Sequence, residues 1–136
     1  MRIALVSCVK SKQSLPAPAR DLYTSPLFRG MRRYAETHAD SWYILSAEHG
    51  VLPPDKVTAP YERTLNTMRR QEREVWGERV RAQLLELLPL ESEVILLAGK
   101  RYREPIETFL QHRGHVVTVP MKGLGFGKQL SWLSCR

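Results

Sequence analysis

The sequence predicts an α/β fold: a single three-layer domain whose sheet has about four parallel strands, with helices on both faces. Short apolar runs alternate with longer amphipathic segments, which is the pattern of repeated strand–helix–strand units. The 136 residues match the size of one domain, and no linker, repeat or low-complexity stretch divides them. Hydrophobic residues make up 43% of the chain, so a packed core is expected rather than a disordered basic tail.

The first part of the chain is expected to hold two strands and one helix. Residues 2–7 form a short apolar run typical of a strand buried on both faces, and a polar loop follows. Ser25 and Pro26 predict the start of a helix that ends near His38, because a hydroxyl cap followed by proline suits a first helical turn. Residues 42–46 predict the second strand. The face of the helix expected to be buried holds Leu27, Met31, Tyr34 and Ala35.

Residues 47–61 combine Gly50 with three prolines and predict an irregular loop, and loops of this length are often functional. Thr64 is expected to cap a long helix that ends near Leu88. Residues 93–98 predict the third strand. The core stripe expected on the long helix consists of Met68, Val75, Val80, Leu84 and Leu87.

The last part of the chain is expected to begin with a helix that ends near Arg113, where Gly114 stops it. Residues 115–119 predict the fourth strand. A glycine-rich tail over residues 122–128 then leads into a short apolar segment around Trp132.

The charge of the chain is concentrated at its two ends. The formal net charge is +7, and it divides into +6 over residues 1–33, −4 over residues 34–99 and +5 over residues 100–136. If the two ends meet in the fold, they form one positive surface suited to phosphate or nucleic acid. The alternative is a solvated basic exterior with no partner.

The apolar runs of the chain are too short to cross a bilayer. The first strand lacks the small-residue cleavage site of a signal peptide. The two cysteines form no disulfide framework. We therefore expect a cytoplasmic protein that does not contact membranes.

Three segments follow the ends of predicted strands: residues 7–12, 46–61 and 99–102. Ligands of parallel α/β sheets bind outside the carboxyl ends of the strands, near the point where the strand order switches. These segments are therefore the first candidates for a ligand site.

The segment after the first strand is a candidate phosphate site. Ser7, Cys8, Lys10 and Lys12 combine small side chains, which let a backbone approach a ligand, with two ammonium groups. The glycine pattern of a nucleoside triphosphatase loop is absent, so that class of enzyme is not indicated. The alternative is an ordinary polar turn.

Ser46, Glu48, His49 and Gly50 follow the second strand. Glu48 and His49 are the candidate catalytic residues, because a carboxylate and an imidazole at a strand end suit general acid–base chemistry. Ser46 and Gly50 are candidate binding residues, and Gly50 also permits a sharp turn. Adjacent side chains of an extended chain point in opposite directions, so one member of the catalytic pair would face a ligand and the other would be structural.

The remaining candidate binding residues are aromatic, charged or glycine. A tyrosine ring can stack on a base, an arginine can clamp a phosphate, and closely spaced glycines can form a backbone nest for an anion. The alternative for the loop residues is a loop held against the core by its tyrosine, and the alternative for the closely spaced glycines is a flexible tail. This set consists of Asp55, Tyr61, Arg63, Gly99, Tyr102, Gly125 and Gly127. No metal or other cofactor is expected, because the four histidines show no ligand pattern with the two cysteines.

Several of these segments resemble the YaaA family of peroxide-stress proteins. Residues 45–55 and 59–65 are similar to that family's stretch of Ser-Ala-x-Tyr-Gly-x-Leu, Pro, Asp and Pro-Tyr-Arg. Residues 94–102 resemble its strand followed by Ala-Ser-x-x-Tyr, and residues 6–10 resemble its Ser-Pro-Ala-Lys. A related set of small uncharacterised bacterial domains fits better still. It shares Ser-Cys-x-Lys-x-Lys, the helix entry Tyr-Thr-Ser-Pro-Leu-Phe over residues 23–28, and Ser-Ala-Glu-His-Gly.

The resemblance implies a fold akin to that of uracil-DNA glycosylases, with DNA binding and a role under oxidative stress. The chain departs from YaaA proteins in being much shorter and in having His49 where they tend to have tyrosine. A shared fold also does not by itself imply a shared activity.

These observations lead us to expect a nucleic-acid- or nucleotide-binding domain, with hydrolysis of an N-glycosidic bond as its enzymatic version. In this hypothesis the lysines after the first strand hold phosphate, and Tyr61 or Tyr102 stacks a base. Glu48 or His49 activates water or stabilises the transition state. The alternatives are a non-catalytic DNA-binding stress-response protein and a sensor of small nucleotides. The oligomeric state stays open.

Overall fold

The computed structural model of the protein describes residues 1–8 and 12–136, so Lys10 lies outside the described residues. In chain order the strands are Arg2–Ser7 (β1), Ala17–Pro18 (β2), Ser41–Ser46 (β3), Gly50–Leu52 (β4), Val57–Thr58 (β5), Glu93–Leu97 (β6) and Val116–Thr118 (β7). The helices are Ala19–Leu22 (α1), Pro26–His38 (α2), Arg70–Leu87 (α3), Lys100–His112 (α4) and Phe126–Ser134 (α5), with a short 3₁₀ turn at Leu65–Thr67.

The centre of the fold is a mostly parallel sheet in the order β4-β3-β1-β6-β7. β1 lies in the middle and pairs in parallel with β3 on one side and β6 on the other. β6 also pairs in parallel with β7. Residues 3–6 of β1 and 94–97 of β6 are buried, which explains why their sequences are continuous apolar runs. The α/β class and a mostly parallel sheet are confirmed, and the sheet has five strands.

The sheet has a fifth strand that the sequence did not predict. β4 runs antiparallel to β3, with Ser46 opposite Gly50. Gly50 has a φ of +71°, a left-handed conformation that glycine adopts without strain. The prediction of a wholly irregular loop over residues 47–61 was wrong here, because this tight reversal lets Val51 and Leu52 return to the core.

The polar loop predicted after β1 also contains regular structure. Ala17 of β2 pairs with Thr58 of β5, and α1 follows directly. The backbone N–H of Arg20 donates to the carbonyl of Pro54, which ties this segment to the loop after β4. The segment after β1 and the segment after β3 therefore hold each other in place.

α3 begins later than predicted. Thr64 caps only the 3₁₀ turn, where its hydroxyl accepts the N–H of Asn66 at 3.3 Å. The backbone then stays extended at Met68 and Arg69, and the Glu72 carboxylate accepts the Arg69 N–H at 3.1 Å where the helix starts. The prediction of one helix from Thr64 onwards was therefore wrong at its start.

The buried face of α3 differs from the predicted stripe. Val80 and Leu84 are buried as expected, whereas Val75 is 66% exposed. Val75 lies five residues before Val80, about 140° around the helix. Trp76, four residues before Val80, lies on the same face and is buried instead.

The helices pack in two pairs, α2 with α5 and α3 with α4. Ser25 caps α2 as predicted, and its hydroxyl accepts the N–H of Phe28 at 3.1 Å. The connection from β1 to β3 and the connection from β3 to β6 run in opposite directions along the sheet. Because such connections are almost always right-handed, we expect α2 and α3 to lie on opposite faces of the sheet. The three-layer arrangement stays a prediction. Among the described residues, no helix has the length and apolar character needed to span a membrane.

The contact between α3 and α4 depends on the absence of a side chain at Gly77. A Cβ atom at this position would lie 2.9 Å from the Cβ of Pro105, which is rigid and sits inside α4. Replacing glycine by alanine normally stabilises a helix interior. We predict that Gly77→Ala instead lowers the free energy of unfolding by about 1–3 kcal/mol, because the two helices must move apart.

Denaturant unfolding measures this effect, with Glu78→Ala at the next, exposed position of α3 as the control. The control is expected to change stability by less than about 0.5 kcal/mol. Equal or greater stability of Gly77→Ala would show that α3 and α4 are not in close contact.

Candidate functional site

A cavity of about 1140 Å³ opens at the carboxyl ends of the parallel strands. Ser7 and Cys8 contribute to its wall from the end of β1, and Ala98 and Gly99 contribute from the end of β6. The chain leaves β1 towards β3 and leaves β6 towards β7, in opposite directions along the sheet. The cavity therefore lies at the switch in strand order, where ligands of open α/β sheets bind.

The lining of the cavity is strongly basic. Among the described residues, six cations and one carboxylate line it, a net charge of +5. The cations come from the first, middle and last parts of the chain, so the two basic ends meet at this cavity. They are Lys12, Arg63, Lys100, Arg101, Arg103 and Lys122, and the carboxylate belongs to Glu62.

Some of this charge is balanced from outside the cavity. Arg63 lies 3.7 Å from the Glu72 carboxylate. Arg103 and Lys122 share Glu107, each at 3.9 Å. These contacts are too long for strong hydrogen bonds, so they offset charge without fixing the cationic groups firmly.

Lys100 and Arg101 have no such partner. Both are exposed, and within the described part of the chain no carboxylate lies within 4.0 Å of either. They occupy the first turn of α4, which has Gly99 as its N-cap and therefore no capping side chain. The first-turn amides carry partial positive charge, which makes two cations at this end unfavourable in the absence of an anion.

The same cavity has an apolar wall. It is formed by side chains from α2, the β6 end and the segment after β7: Leu27, Met31, Leu96, Ala98, Val119, Met121 and Leu124. A site that combines cations with apolar side chains can hold a ligand that has both an anionic group and an uncharged ring.

Tyr102 lines the cavity, but its hydroxyl is engaged by its neighbours. The oxygen accepts the Cys8 thiol and the backbone N–H of Leu65, each at 3.4 Å, and lies 3.4 Å from the Thr64 hydroxyl. The ring meets Trp76 edge-on at 5.7 Å. Burial raises the pKa of Tyr102 above its ordinary value, so the phenol stays protonated. Tyr102 therefore forms a fixed wall that links the β1 and β6 ends.

Tyr61 belongs to a cluster of buried hydroxyl groups behind Lys12. Ser46 donates to the Tyr61 hydroxyl at 2.7 Å, and the hydroxyls of Tyr61 and Tyr23 are hydrogen bonded. The ammonium group of Lys12 lies 4.4 Å from the centre of the Tyr61 ring. Burial lowers the pKa of Lys12, and burial raises the pKa of Tyr61 and Tyr23. Because Lys12 also lines the cavity, this cluster supports one of the cavity's cations.

The two predicted catalytic residues are not among the residues that line the cavity. The backbone N–H of His49 donates to the Ser46 hydroxyl at 3.1 Å, and its ring packs edge-on against Tyr61 at 5.4 Å. The main-chain carbonyl of Glu48 accepts a hydrogen bond from Arg79 at 3.0 Å. In this conformation both residues help to hold the turn between β3 and β4.

Several other predicted residues also lie outside the cavity lining. Gly50 forms the turn before β4, and Asp55 pairs with Arg20 at the surface. Gly125 is the N-cap of α5 and Gly127 lies in its first turn, so the tail is helical here. The structure does bring together Ser7, Cys8, Lys12, Arg63, Gly99 and Tyr102 at the cavity.

Sequence reasoning missed Tyr23, Glu62 and Arg103 as site residues. Glu62 lies between two selected residues, and Arg103 lies one helical turn after the selected Gly99. Their closeness in sequence to selected residues could have identified both. Tyr23 stood only in the helix-entry motif of the resemblance, and its contact with Tyr61 is formed by residues 38 positions apart, which the sequence does not reveal. No group of three or more His, Cys, Asp or Glu side chains in residues 1–8 and 12–136 is arranged to hold a metal ion.

Comparison with known proteins identifies a family but not an activity. Residues 3–135 match the sequence model of a family of unknown function, DUF6884. The Bacillus subtilis (strain 168) protein "Uncharacterized protein YfjM" is 32% identical over 137 aligned positions, covering 92% of this chain and 89% of that protein. No solved structure matches the chain.

The hydroxyl cluster generates a prediction about stability. Tyr61→Phe removes the oxygen that joins Ser46 and Tyr23, and it leaves the fully buried Ser46 hydroxyl without that partner. We expect the free energy of unfolding to fall by about 1–3 kcal/mol in denaturant unfolding. Tyr43→Phe is the matched control, because the Tyr43 hydroxyl forms no hydrogen bond among the described residues. Equal effects of the two changes would contradict a joining role for Tyr61.

His49 generates a prediction about pH. Burial lowers the pKa of His49 below its ordinary value of 6.5, and the cations Lys56 and Arg79 lower it further against the opposing effect of Glu48. The unfolded chain therefore binds a proton at His49 more readily than the folded protein, and stability falls as the pH drops through about 6.5. Melting temperatures between pH 8 and pH 5 test this, and His49→Gln is expected to flatten the profile. An unchanged profile would mean that His49 titrates as in water.

Proposed function

We propose that the basic cavity binds the phosphate groups of a nucleotide or a nucleic acid. The chain belongs to DUF6884, a family of unknown function, so the proposal is argued from the site itself. The observation that carries this proposal is the convergence of cations on one cavity at the switch in strand order. They come from both basic ends of the chain, and a solvated basic exterior does not require such convergence.

Phosphate is the anion that best suits the first turn of α4. Lys100 and Arg101 sit beside amides that are not capped by a side chain. A phosphate group can accept hydrogen bonds from ammonium, guanidinium and backbone N–H groups at the same time. Its binding would remove the repulsion between these cations and the helix dipole.

A nucleotide unit suits the rest of the cavity better than inorganic phosphate does. The apolar wall gives an uncharged ring a surface to contact, which a bare phosphate would leave empty. The volume of about 1140 Å³ lies above the range of roughly 300–1,000 Å³ that is common for small-molecule sites. The cavity therefore has room for more than a small metabolite.

Binding is favoured over hydrolysis as the proposed function. Cleavage of an N-glycosidic bond was expected to use Glu48 or His49, and neither lines the cavity. Glu62 carries the carboxylate in the described lining, so it is the acid–base group that hydrolysis in this cavity would require. The hydrolytic version stays a prediction, to be checked by turnover of nucleosides and modified-base substrates.

The resemblance to YaaA proteins adds a stress-related DNA-binding role in the cytoplasm to the proposal. Its support is that the two halves of the most specific shared motif touch each other. Ser46 belongs to the Ser-Ala-Glu-His-Gly part and Tyr61 to the Pro-Tyr-Glu-Arg part, and their hydroxyls are 2.7 Å apart. Thiols such as those of Cys8 and Cys135, which are free, remain reduced in that compartment.

Lys100→Gln and Arg101→Gln test the proposal. Each change removes one cation from the cavity, so we expect the affinity for nucleotides or oligonucleotides to fall about tenfold. The slope of log affinity against log salt concentration should also become shallower by about one, because the variant releases about one counterion fewer on binding an oligonucleotide. Folding stability should rise by about 0.3 kcal/mol or more, because each change relieves repulsion with the dipole of α4.

Arg113→Gln is the matched control, because Arg113 is an exposed cation at the C-terminal end of the same helix. It should leave binding unchanged and lower stability, the reverse of the effects at the N-terminus. Fluorescence anisotropy and thermal unfolding give the two readouts. Equal losses of binding in all three variants would show that only net charge matters and would remove the cavity from the proposal.

A further inference from the structure

The glycine-rich tail leaves an aromatic side chain exposed beside the cavity. Phe126 is the first residue of α5 and is 62% exposed. Exposure of a large aromatic ring forgoes the stabilisation that its burial would give. Nothing in the packing of the described residues compensates for this.

The missing Cβ atoms of the glycines on either side of Phe126 serve no packing contact within the described part of the chain. There, a Cβ atom at Gly125 or Gly127 would meet nothing within 4 Å. Gly125 has a φ of −74°, which any residue adopts. Elsewhere a missing Cβ lets two elements pack closely, as at Gly30 against Leu133 and at Gly77 against Pro105. Gly125 and Gly127 instead leave bare backbone around an exposed ring.

This exposed segment is continuous with the basic cavity. Leu124 lies two residues before Phe126 and Gln129 lies one helical turn after it, and both line the cavity. Lys122 lines the cavity and Lys128 is exposed in the first turn of α5. An extended anionic ligand that leaves the cavity here would meet an aromatic ring between two lysines.

We propose that Phe126 stacks on a base of a single-stranded nucleic acid whose neighbouring phosphates are bound in the cavity. The inference rests on the proposed function and extends it, because it names the form of the ligand. Basic grooves combined with exposed aromatic rings are the usual means of binding single strands without reading their sequence. The bare backbone of Gly125 and Gly127 lets the sugar–phosphate chain approach the ring closely.

A single strand fits these features better than the other nucleotide ligands. The bases of a duplex are stacked on each other and do not present a face to a protein ring. A mononucleotide bound in the cavity would have no second base to reach Phe126, which is not part of the cavity lining. The single-stranded ligand therefore uses both the cavity and the ring.

The test compares Phe126→Ala and Phe126→Tyr in the full chain. The probes are a short labelled oligothymidine, an abasic strand of the same length and thymidine monophosphate. Leu90→Ala is the matched control, because Leu90 is 80% exposed and lies three residues before the start of β6, at the opposite edge of the sheet. Sedimentation of each variant reports its oligomeric state.

We expect Phe126→Ala to bind oligothymidine about tenfold more weakly and Phe126→Tyr to bind it as the wild type does. Binding of the abasic strand and of thymidine monophosphate should be unchanged in both variants, since neither ligand offers a second base. Leu90→Ala should bind every probe normally. Equal affinity of the wild type and Phe126→Ala for oligothymidine would overturn the inference, as would a change of oligomeric state in Phe126→Ala.

The glycines provide an independent check. Gly127→Ala should leave the melting temperature unchanged or raise it by about 2 °C, while weakening the binding of oligothymidine. Retained oligothymidine binding by this variant would contradict a close approach of the ligand. Failure of the inference differs from failure of the proposed function. If only the inference about Phe126 fails, thymidine monophosphate still binds and its affinity still falls in Lys100→Gln. If the proposed function fails, neither Lys100→Gln nor Arg101→Gln changes the affinity for any probe.

Discussion

The parallel pairing of β1 on both sides is the constraint on which the rest of the structure depends. It aligns the ends of β3, β1 and β6 at one edge of the sheet, with Val6 beside Leu97. The connections then leave β1 and β6 in opposite directions, and a cleft remains between them. Cations far apart in the sequence reach this cleft from the segments that follow β1, β5, β6 and β7.

The repulsion between the cations of the cavity is reduced in different ways in different parts of the site. Glu72 and Glu107 partly balance Arg63, Arg103 and Lys122 from outside the cavity. Lys12 lies over the rings of Tyr23 and Tyr61, whose hydroxyls are hydrogen bonded to each other, and the Tyr61 hydroxyl also accepts a hydrogen bond from Ser46. In the part of the chain that the structure describes, the cations at the start of α4 have no carboxylate partner to offset their repulsion. An anionic ligand is the simplest group to offset it.

The sequence predicted the parts of the fold that depend on local patterns. The continuous apolar runs identified β1 and β6, which are buried on both faces, and the Ser25–Pro26 pair identified the start of α2 because its cap is a local hydrogen bond. It did not predict β4 or the pairing of β2 with β5, because these short strands exist only through partners elsewhere in the chain. The start of α3 was missed for a related reason: Thr64 caps a 3₁₀ turn, and a sequence motif does not reveal where that turn ends.

Strand-end position predicted only part of the candidate site. Strand-end topology selected Ser7, Cys8, Lys12, Gly99 and Tyr102, which do meet at the cavity. Glu48 and His49 were selected for their position at a strand end and for their chemical type, but the reversal at Gly50 turns the chain back into the sheet at that point. The side chains that follow a strand can therefore line a cavity or secure a turn, and the local sequence does not distinguish the two outcomes.

The central claim is that the cavity between the β1 and β6 ends is where a nucleic-acid ligand binds. The most direct measurement is photochemical cross-linking of a single-stranded oligonucleotide that carries a photoreactive base, followed by mass spectrometric mapping of the modified peptides. The account predicts adducts within residues 96–103 and 119–129, and their loss when unlabelled oligonucleotide competes. Adducts at the opposite edge of the sheet, around Arg2 and Glu93, or adducts that competitor does not reduce, would contradict it.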